Sequence, residues 1–390
     1  MIGCSGPRTV PFDTSLDRME MVERYWYFQE HQPVARVMTV VGDPAWLVTR
    51  LGDVKALLGD RRLGRSHPDP DHAPRWLPSP LGGGPVLDFA TEMADRSAIR
   101  KVLAGPFSPN RLAALRPLAE ATAAALLDTI TAEAMPANCF SSFAAPLPRQ
   151  VTSVHLGIGP DEAEKFMASA AVLIDLRRYD AEQTKVATEA LAEYVRKLVA
   201  VKRADPGDDV LTEVIRARDV HGQLNEDQVL FVTLIMLLAA NGSTTVRICL
   251  AVALLLAHPE QYAAMVADPG LVPSAVDEIL RVSAGLFDSN LRYARTDVEI
   301  HDVAIRAGDL VLLDLCAAHC DRRVFSDPLR FDITRNPNRH MMFGHGFARC
   351  IGAAIARMNL EAAVGALARR CATLPFGPLF PMPDRPLAPL

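Results

Sequence analysis

Val229 to Ala240 (VLFVTLIMLLAA) is an apolar run broken only by Thr233, and it lies inside a longer stretch of helical pattern. Asn225 can cap that helix, with Gln228 three residues on to complete a capping box. His258-Pro259 closes it, because the residue before a proline avoids helical angles. A bilayer span needs roughly 18–20 apolar residues. This run meets Asn241, Gly242, Ser243, Thr244, Thr245 and Arg247 instead. The segment predicts a buried core helix, and no membrane partner is expected.

The rest of the chain fits around such a helix. A short helix is expected around Arg24 to His31, then Val-rich strands at Val34 to Val41 and Ala45 to Thr49, separated by the turn signal Gly42-Asp43-Pro44. Residues 61–92 form a Pro/Gly/His-rich loop, long enough to suggest a lid or binding segment. From Ala94 to Leu256 the pattern is helical, with Ala113 to Ile130 and Asp180 to Val201 spaced at 3.6 residues. A helix over Pro273 to Val282 follows. Val298 to Leu313 alternates like paired strands about Ala307-Gly308-Asp309, and a last helix runs from Ala353 to Arg370. The expected class is mainly α with a small mixed β-sheet region. No linker or repeat divides residues 1–390, so one domain is expected.

Composition narrows the function. A net charge of −5 removes the broad electrostatic case for nucleic acid, which favours a basic face. The seven cysteines contain no C-x-x-C pair, and the start of the chain has no apolar core of signal-peptide length. Reduced thiols and a cytoplasmic setting are expected.

The stretch FGHGFARCIG, Phe343 to Gly352, lies directly ahead of the last helix. A cysteine just before a helix N-terminus has its thiolate favoured by the helix dipole and by free backbone N–H groups. Gly344 and Gly346 upstream and Gly352 downstream let the backbone approach something large and flat, and Phe343 offers an aromatic wall. The bland alternative is a buried free cysteine; the glycines and phenylalanine around Cys350 argue against it.

Phe343, Gly346, Cys350 and Gly352 match F-x-x-G-x-x-x-C-x-G, and the chain resembles the cytochrome P450 family. Glu278 and Arg281 match its E-x-x-R helix, where one turn of separation allows a buried ion pair. Val324-Phe325, Asp327-Pro328, Arg330-Phe331-Asp332 and Pro337-Asn338-Arg339-His340 look like its meander, with Arg330 or His340 expected to complete the Glu/Arg network. The resemblance implies a fold enclosing one haem b (iron protoporphyrin IX), with Cys350 as the ligand of its iron. It also implies propionate contacts from Arg100, Arg292 and Arg96, the last standing where the family often has His. Against each arginine stands the plain reading of an exposed surface charge. The family usually has Arg or His two residues before the cysteine. This chain has Ala348 there, with Arg349 next to the cysteine.

Ala239-Ala240-Asn241-Gly242-Ser243-Thr244-Thr245 resembles the family's oxygen-binding segment A-G-x-[DE]-T-[TS], which places Ala240 against the haem. Thr244 takes the alcohol position, Ser243 the carboxylate position and Asn241 the small-residue position. The competing reading is of small polar residues back-bonding to carbonyls in a core helix. Ser243 cannot carry charge, so proton delivery is expected to be weaker or to be routed through water or substrate. Hydroxylation and radical C–C or C–N coupling or cyclisation of a small specialised metabolite are both open. Leu237, Asp288, Ser289 and Asn290 are substrate-contact candidates by position. The resemblance implies dioxygen as oxidant and electrons from a ferredoxin and its ferredoxin reductase. The alternative is a haem-free relative acting as partner or activator of another enzyme.

Overall fold

The computed structural model describes residues 8–10, 18–78, 83–132, 137–174, 181–284, 290–371, 373 and 375–376. Its strands are β1 (Arg8–Val10), β2 (Val34–Thr39), β3 (Pro44–Val48), β4 (Leu63–Gly64), β5 (Asn290–Ala294), β6 (Val298–Ile300), β7 (Val303–Ile305) and β8 (Leu310–Leu313). Six of them form a mixed sheet in the order β1-β2-β3-β8-β5-β4. β2 and β3 pair as an antiparallel hairpin, and Gly42 supplies the left-handed φ of +89° in its turn. β8 is buried throughout, running parallel to β3 and antiparallel to β5. Tyr25 and Phe28 of helix Arg18–His31 pack in one core with Leu47 and Leu312, while Val54 and Leu58 of helix Leu51–Gly59 pack in another with Val48 and Leu313.

One expected pairing is corrected. The alternation between Val298 and Leu313 does not fold about Ala307-Gly308-Asp309. β6 pairs with β7 across a turn at His301, which has φ +50°, and β8 leaves to join the main sheet. The alternating pattern marks extended chain but carries no register, and burial of all four β8 side chains in the main sheet decides the partner.

The central helix, Glu226–Ala257, starts with the capping box read from the sequence. Asn225 Oδ1 accepts from Gln228 N at 2.8 Å, and Gln228 Oε1 accepts from Asn225 N at 2.7 Å. By length and composition the whole helix could cross a bilayer, because apolar residues resume after Arg247. Here it is packed on by helices Pro146–Leu156, Ala181–Ala204 and Ala353–Arg370. Its first half buries Val229, Val232 and Leu237 against helices Glu92–Leu103 and Val210–Asp219. Its second half buries Ile248, Val252 and Leu255 with residues of helices Arg116–Ala132, Val272–Val282 and Ala353–Arg370. Each such side chain contributes about 1.5–3 kcal/mol of apolar transfer. The break between halves falls at Asn241–Thr245, level with the cysteine loop.

Candidate functional site

The loop before helix Ala353–Arg370 is shaped by two glycines in the left-handed region, Gly344 (φ +70°) and Gly346 (φ +68°). At Gly346 a Cβ would lie 2.7 Å from Gly59 Cα and 3.3 Å from the Leu58 carbonyl oxygen, so both φ and space require glycine. Cys350 N donates to the Phe343 carbonyl at 2.8 Å, closing the loop. Gly352 is the N-cap of the following helix. Although Cys350 presents accessible surface, the protein around its sulfur is dense enough that burial raises the thiol above its ordinary pKa. The Gly352 N–H and the charges of Arg100 and Arg349 oppose that rise.

Cys350, Phe343 and Ile351 line a cavity of about 370 Å³ together with Ala239, Ser243 and Thr244 of the central helix. Among the described residues lining it there is no carboxylate. Thr244 is buried, and Ser243 Oγ donates to the Ala239 carbonyl at 3.3 Å, the back-bonding weighed above. The side chains of Ala240 and Asn241 lie outside the described residues, as do Asp288 and Ser289. Leu237 is corrected: it is buried in the packing of the helix's first half, and Ile235, Met236 and Ala239 face the cavity instead. Positions one or two apart on a helix point in different directions, which spacing from a motif does not settle. Asn290 opens β5 paired with Leu313 and lines neither this cavity nor the next.

On its other side the loop borders a polar groove of about 980 Å³, lined by Gly344, Cys350, Lys55, Arg100, Arg349 and Arg357 among others. Arg100 Nη1 donates to the Arg349 carbonyl at 2.8 Å. Arg96 pairs with Glu92 at 2.9 Å. Arg292 is 6% exposed and donates to its neighbour's carbonyl at 2.8 Å, with no carboxylate paired to it among the described residues. Burial above all, then Arg65 and Arg96, push its pKa down to about 9. Arg65, absent from the sequence reading, is half-buried, and its Nε is shielded from solvent with no hydrogen-bond partner among the described residues. The residues fit the haem implied by the motif: a thiol and an alcohol line one cavity, and Arg100 and Arg349 line the groove that shares Cys350 with it.

Glu278 and Arg281 are buried and joined by bonds of 2.7 and 2.8 Å. The third member of their network is neither of the residues expected. Arg335 Nε reaches both Glu278 oxygens at 3.1 and 3.2 Å, and Asn338 Nδ2 reaches one at 3.0 Å. Arg330 contributes its carbonyl oxygen to Arg281, and His340 faces Asp277 at 3.0 Å. In an irregular segment sequence distance does not say which cation turns inward. Arg335 does because it also donates to the carbonyls of Ser326, Asp327 and Arg330, folding the segment around itself.

Residues 14–377 match the family model described as Cytochrome P450. The mycinamicin IV hydroxylase/epoxidase of Micromonospora griseorubida is 35% identical over 93% of this chain and 91% of its own length. Among solved structures, the putative thioether synthase SgvP of griseoviridin tailoring is similar at 32% identity and a TM-score of 0.84, covering 94% of this chain and 92% of that one. The enzyme CxnD, for C–S bond formation in chuangxinmycin biosynthesis, is similar at 32% identity and 0.80, covering 93% and 89%.

Proposed function

Because this chain belongs to the cytochrome P450 family, whose members are haem-thiolate monooxygenases, we propose that it oxidises a small specialised metabolite, with Cys350 as the ligand of a haem b iron. The observation that carries this reading is that Cys350 and Thr244, from distant parts of the chain, line one cavity beside Phe343. Bound there, the haem would supply dioxygen activation, and a thiolate ligand adds electron density that favours O–O cleavage. Gly344 and Gly346 let the loop lie flat, and Phe343 walls it.

Thr244 lines the cavity and takes the alcohol position of the family's oxygen-binding segment. Ser243 is neutral, spends its hydroxyl on the Ala239 carbonyl, and has no carboxylate beside it among the described lining residues. This chain therefore takes protons, or hydrogen atoms, from water or from the substrate, which favours bond-forming oxidation over simple hydroxylation. The similar enzymes support either outcome, being named for hydroxylation and epoxidation in one case and for C–S bond formation in another. The cationic groove with Lys55, Arg100, Arg349 and Arg357 beside the cysteine loop suits an acidic electron donor, and a cytoplasmic ferredoxin served by its reductase is the donor proposed.

The test is the difference spectrum of the reduced protein under carbon monoxide. A thiolate-type band is expected, and Cys350→Ala should remove it and all oxidation while leaving the helical circular dichroism in place. A colourless purified protein would favour a haem-free partner protein, and retention of the band in Cys350→Ala would move the ligand elsewhere.

A further inference from the structure

Leu63 pairs with Ala294 and Gly64 with Tyr293. Extending that register by one residue puts Arg65 opposite Arg292. Like charges directly across a strand pair repel, and here one of the two is buried. Arg96 adds a third positive charge, since its field acts on both Arg65 and Arg292. Arg295 adds a fourth, at 3.3 Å from Glu92.

The carboxylate facing this group is Glu92, fully buried. It is already occupied, accepting from Arg96 Nε at 2.9 Å, from Arg65 N at 2.8 Å, and from the backbone and hydroxyl of Ser66 at 3.1 and 2.5 Å. Among the described residues, four guanidinium charges thus meet one carboxylate, an excess of three. Buried charge without a counter-charge is costly, and an arginine fork pairs best with a carboxylate.

On the reading of the chain as a haem protein, we propose that Arg65, Arg96 and Arg292 form one cradle for the haem carboxylates. Arg65 is its unassigned member, replacing the cation that Ala348 does not provide. The unpartnered Nε of Arg65 is a donor the cradle would use, and a dicarboxylate would cancel two of the three excess charges. Burial, then repulsion from Arg96, lowers the pKa of Arg65, and burial, then repulsion from Arg65 and Arg96, lowers that of Arg292, with Glu92 opposing both shifts.

The test uses holoprotein and two readouts other than turnover: the rate of haem transfer to excess apomyoglobin, and the resonance Raman bending modes of the haem propionates. Arg65→Ala should speed haem loss by roughly ten- to a hundredfold, the fold-change of losing a charge-assisted hydrogen bond, and should shift the propionate modes. Arg65→Lys should fall between Arg65→Ala and wild type, and Arg65→Gln serves if the alanine variant gives no holoprotein. Haem loss within twofold of wild type, or faster loss with unmoved propionate modes, would overturn the proposal, the latter marking Arg65 as a purely structural support for the loop. A wild-type protein that carries no haem would instead overturn the haem reading on which the cradle rests. Haem present with a thiolate band and unmoved modes would overturn the cradle alone.

Discussion

Glu278→Ala should cost this protein more stability than any other single charge removal. Glu278 is 0% exposed and accepts from Arg281 at 2.7 and 2.8 Å, Arg335 at 3.1 and 3.2 Å, Asn338 at 3.0 Å and the backbone N–H of Asp332 at 3.1 Å. Its loss leaves Arg281, 1% exposed, facing the carbonyls of His319, Pro328 and Arg330 at 3.0, 2.7 and 3.3 Å and the ring of Phe325 at 5.2 Å, with no carboxylate among the described residues. Arg335 keeps three carbonyls as well. Neutral acceptors solvate the guanidinium groups in part but do not cancel two buried charges. Breaking a buried pair by removing one partner costs about 3–5 kcal/mol, and with two cations stranded the upper end applies. That is a large part of the roughly 5–15 kcal/mol that holds a typical fold. Arg281→Ala leaves Glu278 with Arg335 and should cost less. Arg335→Ala, which keeps the closer pair intact, should cost least. Urea denaturation of the holoprotein followed by far-ultraviolet circular dichroism gives the order, and the Glu278→Ala/Arg281→Ala double variant gives the coupling. The double change should be milder than the sum of the singles by about 1–3 kcal/mol, since it no longer strands Arg281. Additive losses, or a Glu278→Ala cost below about 1 kcal/mol, would refute the buried-charge argument.

Gly346→Ala meets Gly59 Cα at 2.7 Å in addition to its positive φ, whereas Gly42→Ala has the same strain but open space. The first should cut holoprotein yield sharply and the second should cost only about 1–2 kcal/mol; equal effects would rule out the close approach. His319 is buried and neutral, donating from Nδ1 to the Arg281 carbonyl at 2.9 Å and accepting at Nε2 from Met341 N at 2.8 Å. Burial, then His340 and Arg281, push its pKa from 6.5 down to about 3. The unfolded chain therefore binds the proton first as pH falls, so stability holds above about 6.5 and is lost from there toward 3, at up to about 1.4 kcal/mol per pH unit. His319→Gln should lower the slope of stability between pH 6.5 and 5 by about one proton, and an unchanged slope would remove His319 from the acid response. Thr244→Ala should change turnover little if protons come from substrate, while Ser243→Asp should raise hydroxylated side products. A large rise in peroxide from Thr244→Ala, with hydroxylation as the sole wild-type reaction, would defeat the bond-forming reading.

The parts legible in the sequence were those in which the relevant chemistry is local. Asn225 and Gln228 cap one helix turn, Glu278 and Arg281 sit one turn apart, and the Phe343–Gly352 loop holds its glycines and cysteine within ten residues. Backbone geometry alone brings such residues together; the helical class and the small sheet were legible in the apolar patterning, and the role expected of Cys350 in the resemblance of its loop to the family motif. What the tertiary structure decided was direction and partnership across the chain. Leu237 turned into packing while Met236 and Ala239 faced the cavity. Arg335, not Arg330 or His340, closed on Glu278. β8 left its neighbours for β3 and β5, and the pairing of β4 with β5 brought the charge of Arg65 to bear on Arg292. None of these is set by spacing. Each depends on which side chain's burial or charge is satisfied when distant segments meet, and that balance exists only once the core has formed.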